Sequence, residues 1–435
     1  MSVGIERLAD TNHVVPERRT IPAAVVWAFA VVGVLAGWRY LEQVAVNTQM
    51  MTHLMDLGTY QIAAQRVVDG VSVYDSPLRG STRGVWEFVY TPFSALLFVP
   101  LVAMHGTVFT WVGQLGNFAI LAASGWVALS MLGYRRDRRM ALLALSSAAI
   151  LLWCEPIRES MAFGQINILL LLIVLVDMSL PDSSRWKGVL TGIAAGIKLT
   201  PLFFVLYLLV TRRFRAAATA IGALIATVIV GLAVLPKDSW TFWSGAFADP
   251  ARVGVPANPQ NETLRGMIAR SLGAGTGLQL LWLAGALVIV AICLWLARRF
   301  SATGRELPAV LLCGLTSIAV SPFSWIHHWV WLAPLLIYLA DLALRRGGLI
   351  APTVLLVVFA VSSGGVFDLL GLRLGSVFDL PEHGRYAFLS HNAYIWLTLA
   401  LFAVAAAWLH SETKTARGQQ DRLPSDRSRE SLSAG

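Results

Sequence analysis

Apolar runs recur along almost the whole chain, at about 21–38, 106–133, 140–154, 167–180, 188–210, 216–235, 276–297, 307–321, 328–344, 348–362 and 391–410. In lipid such runs have one common solution, a helix that satisfies its backbone donors and acceptors internally. A further run, 90–105, is short and interrupted by Pro92 and Pro100. Only 14% of the 435 residues are charged, against about 25% in a soluble domain, which excludes an ordinary cytosolic enzyme. The expected fold class is all-α: a polytopic membrane protein of about 11–13 transmembrane or re-entrant helices.

The basic clusters set the topology. A net charge of +9 raises the question of nucleic acid, but the basic residues sit in short clusters between apolar runs and form no continuous face. No nucleic-acid partner is expected, and the rule that short cytoplasmic loops retain Lys and Arg accounts for them. Arg18–Arg19, Arg135–Arg139, Arg212–Arg215, Arg298–Arg299 and Arg345–Arg346 share one side only if two segments do not cross. The first is 90–105, read as a re-entrant or interfacial helix. The second is 188–210, where Lys198-Leu199-Thr200-Pro201 is expected to break the helix into a hairpin, because proline disfavours helix at and before its position. The loops 39–89, 155–166, 236–275, 322–328 and 363–390 then lie opposite, on the extracytoplasmic face of the inner (plasma) membrane. Residues 1–20 form a cytoplasmic N-terminal segment, 21–410 the membrane domain, and 411–435 a polar cytoplasmic tail expected to be disordered.

Every conspicuous polar group is expected on that one side, the extracytoplasmic. Asp56 precedes an apolar-faced helix, where a carboxylate can act as a general base or as a helix cap, and the two roles can coexist. Lys198 is an ionisable group inside an apolar run, which marks a functional site or a buried partner. Arg158 could bind an anion from the loop side or pair with Glu155 or Glu159. His327 and His328 stand among Trp325, Trp329 and Trp331; they can donate to a lipid phosphate, or the group can be an interfacial anchor. No third ligand stands at metal spacing from the histidines, and Cys154, Cys293 and Cys313 lie in apolar runs, so no metal and no disulfide is expected. No phosphate-binding loop is present, and no cofactor is expected.

With these residues in order, the chain resembles glycosyltransferase family 87, the polyprenyl-phosphate-mannose-dependent α-(1→2) mannosyltransferases of GT-C architecture. The resemblance rests on Asp56-Leu57 with Tyr60, Phe88-Val89-Tyr90-Thr91-Pro92, Glu155-Pro156, Phe163-Gly164-Gln165-Ile166-Asn167, Lys198-Leu199-Thr200-Pro201, Gln260-Asn261 and Ser321-Pro322-Phe323-Ser324-Trp325-Ile326-His327-His328-Trp329. Thr91 departs from a Tyr-Pro-Pro form, and Ile326 from a polar residue before the histidine pair. The resemblance implies that 21–410 is a GT-C catalytic domain. It implies an inverting transfer of mannose from polyprenyl-phosphate-mannose to a lipid-anchored glycolipid or lipoglycan acceptor, without cofactor. Asp56 would be the base. Lys198, His327, His328 and Arg158 would bind the phosphate, and Tyr60, Tyr90, Gln165, Asn167, Gln260, Asn261 and Trp325 the substrates. Within the family the chain is most similar to enzymes that branch lipomannan and lipoarabinomannan. Enzymes that extend phosphatidylinositol mannosides come next. Arabinofuranose transfer and a lipid-glycan flippase are the alternatives.

Overall fold

The computed structural model describes residues 18–81, 84–249, 252–273, 275, 277–363 and 387–420. The expected loop 363–390 therefore lies mostly outside the described residues, as do most of the N-terminal segment and the end of the tail. Among the described residues the protein is α-helical apart from one antiparallel hairpin, β1 (Arg79–Ser81) and β2 (Gly84–Trp86). Every expected apolar run is helical. Among the described residues five helices are long and apolar enough to cross a bilayer: Ala23–Val46, Gly106–Met131, Phe214–Val234, Gly277–Ala302 and the Ala393–Glu412 part of Ala393–Gln420. The chain is a multi-pass membrane protein. Shorter apolar helices, Asn167–Ser179, Glu306–Ala319 and Ile350–Ser362, fill the bundle between them.

The segment 90–105 forms the helix Pro92–Leu97 and the 3₁₀ turn Val99–Ala103, too short to span. Thr91, the departure from the family pattern, caps it by accepting from the Ser94 amide at 3.2 Å and donates to the Gly196 carbonyl. The segment 188–210 is broken as expected, into Val189–Ile197 and Phe203–Val210, with Lys198 extended between them at φ −145°. Gly188, Gly192 and Gly196 let the first arm press against Phe214–Val234; a Cβ at Gly192 would lie 2.2 Å from the Ala220 carbonyl oxygen. The stripe runs beside Ala216, Ala220 and Thr227 in turn, so this arm is parallel to Phe214–Val234. The second arm enters that same helix through a tight turn closed by Arg213 N donating to Leu208 O, so it runs back down. Both feet of the hairpin meet at Asp182, which pairs with Lys187 and Arg213, each at 3.0 Å.

Those feet belong to a continuous polar chain across one end of the bundle. Arg19 is bridged to Gly133, next to Tyr134, whose hydroxyl donates to Asp341 at 2.6 Å. Asp341 pairs with Arg345; Arg346 and Arg305 share Glu412 at 3.1 and 2.6 Å; and Arg213 pairs with Glu306 at 2.6 Å. The last helix thus continues, paired, past Ser411, where the tail was expected to begin. At the opposite end two corrections apply. The expected loop 155–166 is mostly a helix, Glu155–Phe163, bent by 85° from Arg138–Leu151. The tryptophans are not a surface belt: Trp329 and Trp331 are buried in the core, and of the three only Trp325 faces the large cavity. A second small core of Tyr60, Ala63, Val73, Tyr74, Phe88, Tyr90, Phe98 and Phe242 forms a layer there, on which the polar residues are mounted.

Candidate active site

Asp56 stands in the first turn of the helix Met55–Val68, which is 14 residues long. The cap position is Leu54, held in a left-handed conformation at φ 31°, with its amide donating to the Ala162 carbonyl at 2.9 Å. The capping role considered for Asp56 is therefore not used, and its carboxylate is turned elsewhere. Gly164 ends the neighbouring helix at φ 66°, and a Cβ there would lie 2.7 Å from the Leu57 Cβ. Only a glycine permits both the left-handed turn and this approach, which sets Gln165 beside Asp56.

Gln165 is the hub. Its Nε2 donates to the Asp56 carboxylate at 2.6 Å and lies 3.2 Å from His327 Nε2. Its Oε1 accepts from Tyr60 at 2.9 Å, from Tyr90 at 3.2 Å and from Asn167 at 3.2 Å. The two tyrosine hydroxyls lie 2.7 Å apart, and with one proton each they fill two of these three oxygen contacts at a time. Asn167 extends the network: it donates to the His327 carbonyl at 3.0 Å and accepts from Lys198 Nζ at 2.9 Å. Lys198 Nζ lies 3.0 Å from His328 Nε2 and over the Tyr90 ring. All these side chains are satisfied mutually, as a buried polar network must be.

The arrangement fixes protonation. Burial lowers Lys198 to about 7 against the opposing Asp56 charge; in its protonated form it can only donate, so His328 Nε2 accepts from it, and His327 Nε2 likewise accepts from the Gln165 amide. Burial, and then the Lys198 charge, push both imidazoles well below their usual range, so both rings are neutral. Burial raises the Asp56 carboxyl to about 6, against the opposing influences of Gln165, Lys198 and Arg79. That value suits a group that must accept a proton near neutral pH.

These residues open onto a cavity of about 2120 Å³, larger than the ~300–1,000 Å³ typical of a site for one small ligand. Asp56, Tyr60, Tyr90, Gln165, Lys198, Gln260, Trp325, His327 and His328 all line it. Asn167 stands just behind, on a small cavity of about 30 Å³ shared with Lys198 and His328. Below Lys198 the lining turns apolar, along Leu202, Phe203, Leu206 and Ile221.

Two expected residues are placed elsewhere. Arg158 does not line this cavity; its charge acts on Tyr40 and Cys154. Asn261 is fully buried and structural: its Oδ1 accepts from Thr263 and from the Ser324 amide, tying two loops together. Sequence reasoning also missed Arg79 and Arg252, both on the cavity wall, the latter paired with Glu87 at 2.7 Å. An arginine in a loop assigned opposite the basic clusters is an exception to the charge rule, and that exception was the signal that could have found them. Among the described residues no three His, Cys, Asp or Glu side chains are grouped to hold a metal ion.

Comparison with known proteins gives this site a context. The sequence profile of glycosyltransferase family 87 matches residues 88–322, more than half of the chain. A protein of Mycobacterium tuberculosis (strain ATCC 25618 / H37Rv), named polyprenol-phosphate-mannose-dependent alpha-(1-2)-phosphatidylinositol mannoside mannosyltransferase, is 30% identical over 81% of this chain and 84% of its own length. A Mycolicibacterium smegmatis protein, named polyprenol-phosphate-mannose-dependent alpha-(1-2)-phosphatidylinositol pentamannoside mannosyltransferase, is 33% identical over 71% of this chain and 74% of its own. No solved structure matches. With the profile spanning the Tyr90, Gln165 and Lys198 segments and the relatives covering most of both chains, this chain belongs to glycosyltransferase family 87.

Proposed function

We propose that the chain transfers mannose from polyprenyl-phosphate-mannose to the 2-hydroxyl of a mannoside on a phosphatidylinositol anchor, with inversion to an α-(1→2) linkage, on the extracytoplasmic face of the plasma membrane. The relatives' names support the donor, the linkage and the acceptor class. They name phosphatidylinositol mannosides, so the short anchored mannoside replaces lipomannan or lipoarabinomannan as the preferred acceptor. The sidedness rests on the polar chain at the far end of the bundle, which the charge rule assigns to the cytoplasm.

The observation that carries the mechanism is the Gln165 bridge, which joins the Asp56 carboxylate to the group around Lys198 within one cavity. The acceptor oxygen attacks the anomeric carbon as its bond to the phosphate oxygen breaks. Asp56 takes the hydroxyl proton, and the leaving phosphate gains a negative charge. A fixed cation where that charge develops lowers the barrier. Lys198 in its protonated form is that cation, and its lowered pKa confines the role to pH at or below about 7. The two histidines, neutral and accepting, orient Lys198 and Gln165 rather than supply charge. The apolar lining below Lys198 suits the polyprenyl chain.

The test is incubation of the purified protein with polyprenyl-phosphate-mannose and, separately, a phosphatidylinositol mannoside and a lipomannan, followed by linkage analysis. An α-(1→2)-mannosyl product with faster transfer to the phosphatidylinositol mannoside is expected. Transfer from polyprenyl-phosphate-arabinose alone, or a faster reaction with lipomannan, would overturn the donor or the acceptor assignment respectively.

A further inference from the structure

Arg79 stands apart from the network just described, yet it is seated on the helix that carries Asp56. It occupies β1 opposite Trp86, at the cavity wall. Its Nη1 donates to the Met55 carbonyl at 3.3 Å. A Cβ at Gly58 would lie 2.6 Å from its Nη2 and 3.2 Å from its Cζ, so the guanidinium rests against the bare backbone of the first turn. Gly58 is buried inside a helix, where alanine has the higher intrinsic propensity. Propensity therefore does not explain the glycine; the space taken by the guanidinium does.

We infer that Arg79 is a positioning residue for Asp56, clamping the first turn of its helix from the β-hairpin, and that Gly58 is the seat that admits it. The inference rests on the reading of Asp56 as the base. Arg79 also adds a charge at the site: among the described residues it and Lys198 are the cations that act on Asp56. The other groups facing that carboxylate are Gln165 from the chain after Gly164, Tyr60 from its own helix, Tyr90, and neutral His327 through Gln165. Without Arg79 the helix turn loses its clamp and the ionised carboxylate loses a supporting charge. The acidic limb of the rate profile must then move to higher pH.

The experiment compares Arg79→Ala, Arg79→Lys, Gly58→Ala, the Gly58→Ala/Arg79→Ala pair and Asp56→Asn, each purified and assayed for mannose transfer across acid and neutral pH. Arg79→Ala should lower kcat about ten- to a hundredfold, the scale expected for a displaced reacting group, with the donor KM unchanged. Arg79→Lys should restore the acidic limb but not the full kcat. Gly58→Ala should reproduce the loss with the protein still folded, and should add nothing when Arg79 is already alanine, because both changes act through one contact. A wild-type kcat and acidic limb in Arg79→Ala, or an equal loss from Gly58→Ala in both backgrounds, would overturn the clamp. Asp56→Asn separates the two claims. If it still transfers mannose, the base assignment itself has failed; if it is inactive while Arg79→Ala is normal, only the clamp has.

Discussion

Gln165→Met keeps most of the side-chain volume while removing every hydrogen bond at the hub, which isolates what the proposed base owes to its partner. The bond from Gln165 Nε2 to Asp56 is 2.6 Å long and the acceptor is charged when Asp56 is ionised. Hydrogen bonds to charged groups contribute about 1.5–3 kcal/mol. At 1.36 kcal/mol per pKa unit, losing that support moves the Asp56 midpoint from about 6 to roughly 7–8. The sign follows from the role: a base must be ionised, so kcat/KM falls below its pKa, and a higher pKa moves the acidic limb upward. At pH 7 the ionised fraction drops from about nine-tenths to between about a half and a tenth, a loss of roughly two- to tenfold from protonation alone. Loss of carboxylate orientation adds up to about a hundredfold, and this part persists at alkaline pH, where Asp56 is ionised in both proteins. The assay is the pH dependence of kcat/KM for mannose transfer by purified protein in lipid. An acidic limb still centred near 6 with kcat/KM within about twofold of wild type would refute the reasoning.

Three further outcomes follow from particular side chains. Asn261→Ala should lower the thermal midpoint, by the equivalent of about 1–3 kcal/mol for buried polar groups deprived of their partner, while donor and acceptor KM stay within about threefold, since Asn261 ties loops and does not line the cavity. Gly192→Leu should destabilise by about 1–3 kcal/mol or more, read as a thermal shift, because its side chain would meet the Ala220 backbone. Glu262 is fully buried with neither carboxyl oxygen hydrogen-bonded, and burial raises its pKa well above the usual range. A folded pKa above the unfolded one gives a contribution that is complete below the unfolded value, about 4.3, and is lost as pH rises through the folded value. Glu262→Gln should therefore raise the thermal midpoint at neutral pH, with the gain shrinking toward pH 4.

The membrane class and the two broken segments were legible because each rests on a rule with few exceptions. Apolar runs must satisfy their own backbone, basic clusters share a side, and a proline after Lys198 cannot continue a helix. Lys198 was legible for the same reason, as a charge where charge is costly. Asp56 was legible as a lone carboxylate at a helix start, but not its geometry: the cap falls on Leu54, whose left-handed backbone is set by the contact with Ala162. Residues adjacent in a motif diverge in space, and a motif hides this. Gln260 faces the cavity while Asn261 holds Ser324. Arg158 and Glu159 are neighbours on the helix Glu155–Phe163, yet only Glu159 reaches the cavity. Arg79 was hidden for the opposite reason. It reaches the Asp56 helix only because β1 and β2 fold back as a hairpin, and nothing local in Leu78-Arg79-Gly80 points to Gly58.

The central claim is that Asp56 removes the acceptor proton while Lys198, oriented by its partners, holds the lipid phosphate. Binding and single-turnover transfer of radiolabelled polyprenyl-phosphate-mannose by purified Asp56→Asn test it most directly. The account predicts donor binding within about threefold of wild type, because the carboxylate is not part of the phosphate group. It predicts transfer slowed by about 10²–10⁴-fold, the range for a lost general base. Transfer at the wild-type rate, or loss of donor binding equal to the loss of transfer, would contradict it.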